Sequence, residues 1–195
     1  PLAIDPAHPF PQLLNKSLNL VVKLEVEAGG KPVSRLAVVQ VPRVLPRLVK
    51  LPSSSSATQN YISLGHLIGC YLADLFPGTN ILGHWHFRVT RNSELYIDEE
   101  EVANLLKAVE NELHNRRRGD AVRLEIEQGC PPDVRAQLLK NLNLRAEDVF
   151  TINGPLNPTR LMTIYDGDHS PELRDPPFVA PVATPLREEA DLFAA

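Results

Sequence analysis

Apolar and polar side chains alternate along the first part of the chain, which is the pattern of strands with one buried face. Residues 17–27 place leucine or valine at every second position, and Arg35–Val41 follows as a second apolar stretch. Gly29 and Gly30 between them supply the positive φ that a tight hairpin needs. We therefore predict a β-hairpin, followed by a short strand over Arg47–Leu51.

A period near 3.6 residues replaces this alternation in three later segments and predicts helices. Ser63 is placed to cap a helix over residues 64–76, on whose apolar face we expect Cys70 to be a reduced core thiol. The Glu99–Arg118 segment gives the strongest helical pattern, with acidic side chains at its start and basic ones at its end. A further helix is predicted over residues 131–142, where two prolines open it.

The remaining elements predict an α+β fold with a mixed, mainly antiparallel sheet and packed helices. Phe87 and Val89 face one side of a predicted strand, while Arg88 and Thr90 face the other. Further strands and a short helix are predicted over Ile81–Arg91, Ala121–Glu127, Val149–Ile152 and Pro158–Tyr165. We expect one domain over residues 1–165, then a proline-rich connector over 166–195 that ends in the start of a helix.

Composition excludes several classes of protein. The chain has 195 residues, 43% of them hydrophobic, and a formal net charge of −4, so no overall basic excess indicates nucleic-acid binding. No apolar run reaches the ~18 residues of a membrane span. Two cysteines are too few for a disulfide framework. We expect a cytoplasmic protein, with peripheral membrane association as the alternative.

The common phosphate-handling motifs are absent from the sequence. It contains no Gly-x-x-x-x-Gly-Lys-Ser/Thr loop and no protein-kinase catalytic loop. No Gly-x-Ser-x-Gly nucleophile motif is present either. Any chemistry on phosphate must therefore use a local arrangement of side chains.

Arg88, Arg91 and Asn92 are the candidate substrate-binding residues. A guanidinium group presents a fork of donors that matches phosphate oxygens and stays charged at any working pH. Two arginines and an amide within five residues of a strand end suit a polyanion path. The alternative is a solvated strand face that leads into a turn.

Two histidines on one strand face, His84 and His86, suggest the beginning of a metal site. Zinc needs at least a third ligand, and the sequence spacing suggests none, so an ordinary pair on a sheet surface is the alternative. Trp85 between them is either an interface anchor or a core residue. The basic run at residues 116–118 is explained by its place at a helix end.

Six segments in order resemble the class-1 polyphosphate kinases, which build inorganic polyphosphate from ATP. The most informative is Phe87–Glu101, where basic strand positions precede an acidic helix start. The others are Leu2–Pro11, Asn15–Leu20, Gly119–Glu125, Asn153–Leu156 and Asp175–Phe178. The resemblance covers nearly the whole chain and implies the middle, or head, domain of such a kinase.

The resemblance implies the following properties. The parent enzyme is a phosphotransferase that uses ATP and magnesium and works through a phosphohistidine, and so is a phosphoprotein. Its phospholipase-D-like catalytic domains begin after this chain, so none of the six histidines is that nucleophile. The domain itself is expected to be inactive alone, to bind no cofactor, and to contribute to homodimer or higher contacts and to frame a polyphosphate channel around Arg88, Arg91 and Asn92.

Two other functions stay open at the level of sequence. One is a self-association module that makes no polyanion contact. The other is a small histidine-dependent phosphohydrolase, although no histidine stands in a recognisable catalytic pattern with Asp, Ser or Cys.

Overall fold

A computed structural model describes residues 10–52, 59–92, 119–167 and 171–180, together with the backbone of a short strand at residues 2–4. The helix predicted over Glu99–Arg118, the basic run at 116–118 and the helix start near the end of the chain lie outside these residues. The description that follows concerns the described residues alone.

Six strands form one mixed sheet in the order β1-β3-β2-β6-β7-β8. They are β1 (Leu2–Ile4), β2 (Leu18–Ala28), β3 (Lys31–Gln40), β6 (Asn80–Arg91), β7 (Ala121–Glu127) and β8 (Val149–Ile152). The β7–β8 pair is parallel and the other pairs are antiparallel. The predicted α+β class with a mainly antiparallel sheet is confirmed.

The β2–β3 hairpin turns at the glycine pair, as predicted. Gly29 and Gly30 have φ values of 61° and 74°, a region that costs glycine little and other residues more. Ala28 pairs with Lys31 directly across the turn.

Two strands outside the predicted set are present. One is β1 at the sheet edge. The other, β5 (Asn60–Ser63), pairs antiparallel with β4 (Leu48–Leu51) in a separate two-stranded sheet. The β4 strand confirms the short strand predicted over Arg47–Leu51.

The six-stranded sheet buries apolar side chains on both faces. One face packs against α3 (Pro132–Leu142), and its buried cluster includes Val21, Val38, Phe87, Val89, Leu124, Val134 and Leu138. The other face packs against α1 (Leu64–Cys70) and α2 (Leu72–Leu75), with Leu20, Val22, Leu24, Leu64, Leu72 and Phe76. Full burial of each such side chain contributes about 1.5–3 kcal/mol.

The helix predicted over residues 64–76 is interrupted. Ser63 caps α1 as predicted, and its hydroxyl accepts from the backbone N–H of His66. The helix ends at Cys70, Tyr71 has non-helical backbone angles, and α2 starts at Leu72.

The prediction that Cys70 is a core thiol is wrong, because the side chain is exposed. Gly65 and Gly69, one turn apart, lie against the sheet. Successive helical residues are rotated by about 100°, so Cys70 is turned away from the face on which Gly69 lies.

The chain divides into two compact units, Pro1–Leu161 and Met162–Ala195. The short helix predicted over Pro158–Tyr165 is a 3₁₀ turn over Pro158–Leu161 followed by α4 (Met162–Gly167). Within the second unit, the Arg174 guanidinium lies 4.5 Å from the centre of the Tyr165 ring. The domain boundary predicted at residue 165 stays a prediction. No helix in the described part of the chain is long and apolar enough to cross a membrane.

Candidate functional site

A cavity of about 720 Å³ opens in the first unit. Its lining combines the start of α1, the end of β7 and the loop after β8. The charged and polar side chains around it include Lys16, Arg43, Arg47, His66, His86, Arg88, Glu127 and Arg160. Five of these eight residues are lysine or arginine and one is a glutamate, so the cavity is electropositive although the chain as a whole is acidic.

Three arginines in this cavity lie close enough for the charges of two of them to lower the pKa of the third. Burial lowers the pKa of Arg47, and repulsion by the charges of Arg160 and Arg43 lowers it further. Arg43 donates to the carbonyl oxygen of Asn15, and Arg47 Nη1 donates to that of Val41 at 3.5 Å. None of the three forms a salt bridge with a carboxylate of the residues described here. Guanidinium groups gathered without carboxylate partners favour an anion between them.

Arg88, one of the sequence-predicted residues, lines this cavity. Its Nε donates to Oε2 of Glu125, and the Arg88 side chain is 19% exposed. The other oxygen of Glu125 lies 3.1 Å from Arg123 Nη2. One carboxylate is therefore shared by two arginines, which leaves a net positive charge on the group.

Arg91 and Asn92 are not among the residues that line the cavity. Arg91 Nε donates to the carbonyl oxygen of Leu13 at 2.8 Å, and Arg91 Nη1 donates to that of Gly119 at 2.9 Å. Asn92 donates its backbone N–H to Asp120. Side chains alternate along β6, so Arg88 and Arg91, three residues apart, start from opposite faces of the strand. The structure does not bring the two arginines together at this cavity.

The buried His86 and the half-buried Glu127 form a hydrogen-bonded pair beside the arginines. Both the backbone N–H and Nδ1 of His86 lie 2.9 Å from Oε2 of Glu127. Burial alone would raise the pKa of Glu127, but the two hydrogen bonds from His86 and the nearby charge of His66 outweigh burial and lower it. The carboxylate is therefore held ionised.

The predicted placement of His84 and His86 on one strand face is confirmed, with ring centres 6.4 Å apart. They are not on an open sheet surface, however, because α1 covers them. A Cβ on Gly65 would lie 2.6 Å from His86 Nε2, and one on Gly69 would lie 2.6 Å from His84 Nε2. Two glycines one turn apart thus let α1 approach the imidazoles closely.

The candidate metal-ligand group in the described residues includes His86 but not His84, and its other two members were not suggested by the sequence spacing. His66, His86 and Glu127 each offer one ligand atom, and these atoms lie within 4.8 Å of one another. The three residues come from α1, β6 and β7, so no local motif indicates the group. Trp85 points to the opposite face and packs, partly buried, against the cluster around Phe87.

Comparisons with known proteins agree on one family. The family model described as the polyphosphate kinase middle domain matches residues 1–164. The chain is 42% identical over 195 residues to a polyphosphate kinase of Pseudomonas aeruginosa, and 46% identical over 181 residues to one of Xylella fastidiosa. These alignments cover 99% and 91% of the chain but only 28% and 26% of the relatives.

A solved structure shows the same fold. The crystal structure of polyphosphate kinase from Porphyromonas gingivalis matches 99% of the chain with a TM-score of 0.66 at 17% identity, over 26% of its own length. The chain thus spans about a quarter of the length of the proteins it matches. On the family match and the sequence identities, this chain belongs to the polyphosphate kinase middle-domain family.

Proposed function

We propose that the chain acts as the head domain of a larger polyphosphate kinase and has no catalytic activity by itself. The parent enzyme would transfer the γ-phosphoryl group of ATP to polyphosphate through a phosphohistidine in other domains. This chain would contribute to homodimer contacts and would form part of the wall of the polyphosphate channel. The chain covers only about a quarter of the length of its relatives. This coverage supports the role of one domain within a larger enzyme rather than that of a complete enzyme.

The electropositive cavity is the observation that carries the polyanion part of this proposal. Polyphosphate is a chain of anionic oxygens, and the fork of guanidinium donors suits such oxygens better than a point charge does. Arg43, Arg47 and Arg160 have no carboxylate partner among the described residues, so their charge is available to a ligand. Arg88 adds a further donor at the wall, although Glu125 offsets part of its charge.

Magnesium does not fit this cavity. Mg²⁺ prefers an octahedral shell of oxygen ligands, usually carboxylates and waters. Glu127 is the one carboxylate that lines the cavity, and it already accepts two hydrogen bonds from His86. We therefore assign magnesium and ATP chemistry to the rest of the parent enzyme.

The isolated 195-residue chain should form no polyphosphate from ATP and Mg²⁺. The measurement is incorporation of labelled phosphate into acid-insoluble polymer, with the full-length parent enzyme assayed in parallel. Turnover by the isolated chain above the rate of a heat-denatured sample would contradict the proposal.

Replacing Arg43, Arg47 and Arg160 with glutamine should weaken polyphosphate binding on the order of 100-fold at low salt. The salt dependence of binding should also become shallower, because fewer counterions are released. Fluorescence anisotropy of an end-labelled polyphosphate measures both quantities.

The matched control replaces Arg35, Arg135 and Arg145 with glutamine, which removes the same net charge from outside the cavity. We expect this triple variant to bind nearly as well as the unmodified chain. Equal losses of polyphosphate affinity in the two triple variants would show that binding depends only on the net charge of the chain and not on the cavity. Self-association of the unmodified chain without any salt-sensitive binding would favour a scaffold that does not touch the polyanion.

A further inference from the structure

We infer that Lys16 binds phosphate oxygens in the cavity, and that the turn over residues 14–17 is a phosphate-binding element that fixes both Lys16 and Arg43. The inference rests on the proposed function, because it names a further residue for the same ligand. Lys16 is exposed and lines the cavity. No salt bridge among the described residues involves it, so its charge is available to a bound anion.

The turn carries an unfavourable residue at its third position. The backbone N–H of Ser17 donates to the carbonyl oxygen of Leu14 at 3.1 Å, and Lys16 before it has a φ of 55°. A turn with positive φ at this position usually has glycine or asparagine there. The Cβ of lysine is crowded in the left-handed region, so this choice of residue costs stability.

Left-handed backbone outside glycine is concentrated at the cavity. In the part of the chain that the structure describes, the three residues concerned are Lys16, Asn143 and Asn157. Lys16 and Asn157 line the cavity, whereas Asn143 ends α3. Asparagine tolerates this conformation and lysine does not. Strain of this kind is typical of sites where a particular side chain is needed for function.

Hydrogen bonds to the core hold the turn in this conformation. The backbone N–H of Lys16 donates to the carbonyl oxygen of Val89 in β6 at 2.8 Å. The Ser17 hydroxyl donates to the carbonyl oxygen of Leu14 at 2.8 Å, and the side-chain amide of Asn19 donates to that of Ser17 at 2.9 Å. Ser17 and Asn19 are both buried. The backbone of Lys16 therefore has one fixed position at the cavity wall.

The same turn positions Arg43. The Arg43 Nη2 donates to the carbonyl oxygen of Asn15, the residue before Lys16. The side-chain oxygen of Asn15 in turn accepts from the backbone N–H of Arg91 at 2.9 Å, which ties the turn to β6. A guanidinium group and an ammonium group are thus anchored at neighbouring residues. This combination suits a ligand with several anionic oxygens, because arginine supplies directed donors and lysine a point charge on a flexible stem.

Fluorescence anisotropy of an end-labelled polyphosphate at low salt, with variants of the 195-residue chain, tests the inference. Lys16→Asn removes the charge but suits the left-handed backbone, and should weaken binding about 5-fold, in line with the roughly 100-fold loss expected for three arginines. The salt dependence of its binding should also become shallower. Lys16→Arg keeps the charge and should bind within about twofold of the unmodified chain.

Lys16→Gly should have two effects of opposite sign. It should weaken polyphosphate binding about 5-fold, like Lys16→Asn. It should also raise the midpoint of urea unfolding, because glycine relieves the strained backbone. A residue with a purely structural role would not gain stability on replacement.

Lys140→Gln is the matched control, because Lys140 lies in α3 and does not line the cavity. It removes the same charge and should bind polyphosphate like the unmodified chain. The inference is wrong if Lys16→Asn keeps full affinity while the triple arginine variant loses it, and the arginine cavity then stands without Lys16. A lower urea midpoint for Lys16→Gly would also overturn it, since lysine would then be favoured for stability. If the unmodified chain shows no salt-sensitive binding, the polyanion role itself fails and this inference fails with it.

Discussion

Replacing Phe87 with alanine should lower the free energy of unfolding by about 3–5 kcal/mol. Phe87 is fully buried in the centre of β6, where it pairs with Asn19 on one side and Ile126 on the other. Its ring contributes to the cluster that joins the sheet to α3. The truncation removes buried apolar area and also leaves a cavity that the close-packed neighbours can fill only in part. Urea unfolding followed by circular dichroism measures the change.

Phe178→Ala is the control for this experiment. The same ring is deleted there from a side chain that is 88% exposed, so we expect a change within about 0.5 kcal/mol. A Phe87→Ala variant that loses less than about 1 kcal/mol would show that β6 is not at the centre of the core.

Gly119→Ala should destabilise the chain by about 1–3 kcal/mol, the usual cost of forcing extra atoms into a filled space. A Cβ on Gly119 would stand only 2.2 Å from the backbone oxygen of Asn92. The obstacle is main chain, so no rotation of a side chain relieves it. The neighbouring contacts would be strained together, because Arg91 Nη1 donates to Gly119 and the Asn92 N–H donates to Asp120. Thermal and urea unfolding both report the loss.

Gly167→Ala is the matched control. No heavy atom lies within 4 Å of the Cβ that it would add, so its stability should be close to that of the unmodified chain. Equal stability of the Gly119→Ala and Gly167→Ala variants would mean that Gly119 and Asn92 do not approach as closely as the structure shows.

Local patterns in the sequence were sufficient for most strands. The alternation in β2 and β6 and the Gly29-Gly30 turn report directly on the backbone next to them, so the hairpin and the central strand were predicted correctly. Helix α3 was also predicted, because its opening prolines and its apolar stripe are contiguous. The prediction for Cys70 was wrong for two reasons. The helix breaks at Tyr71, and Gly65 and Gly69 form the face of α1 that packs on the sheet. A pattern of hydrophobic residues cannot indicate a packing face that is made of glycines.

The candidate site could be predicted only in part. Arg88 was found because it lies within a strand whose pattern is clear. The Arg43, Arg47 and Arg160 group and the His66–His86–Glu127 group depend on contacts between distant segments, which no local spacing encodes. Arg91 follows Arg88 closely in the sequence but does not line the same cavity, and its side chain donates to the carbonyl oxygens of Leu13 and Gly119. Whether Arg88, Arg91 and Asn92 touch polyphosphate stays a prediction.

The six-stranded sheet ends at both edges in very short strands, β1 with three residues and β8 with four. β1 pairs with only Leu36, Ala37 and Val38 of the ten-residue β3, so in the described part of the chain Lys31–Arg35 has no neighbouring strand on that side. Unpaired N–H and C=O groups along such an edge can accept a further strand. Lys31, Pro32 and Arg35 in this stretch are residue types that oppose uncontrolled edge-to-edge pairing, which lowers the risk of fibrous aggregation.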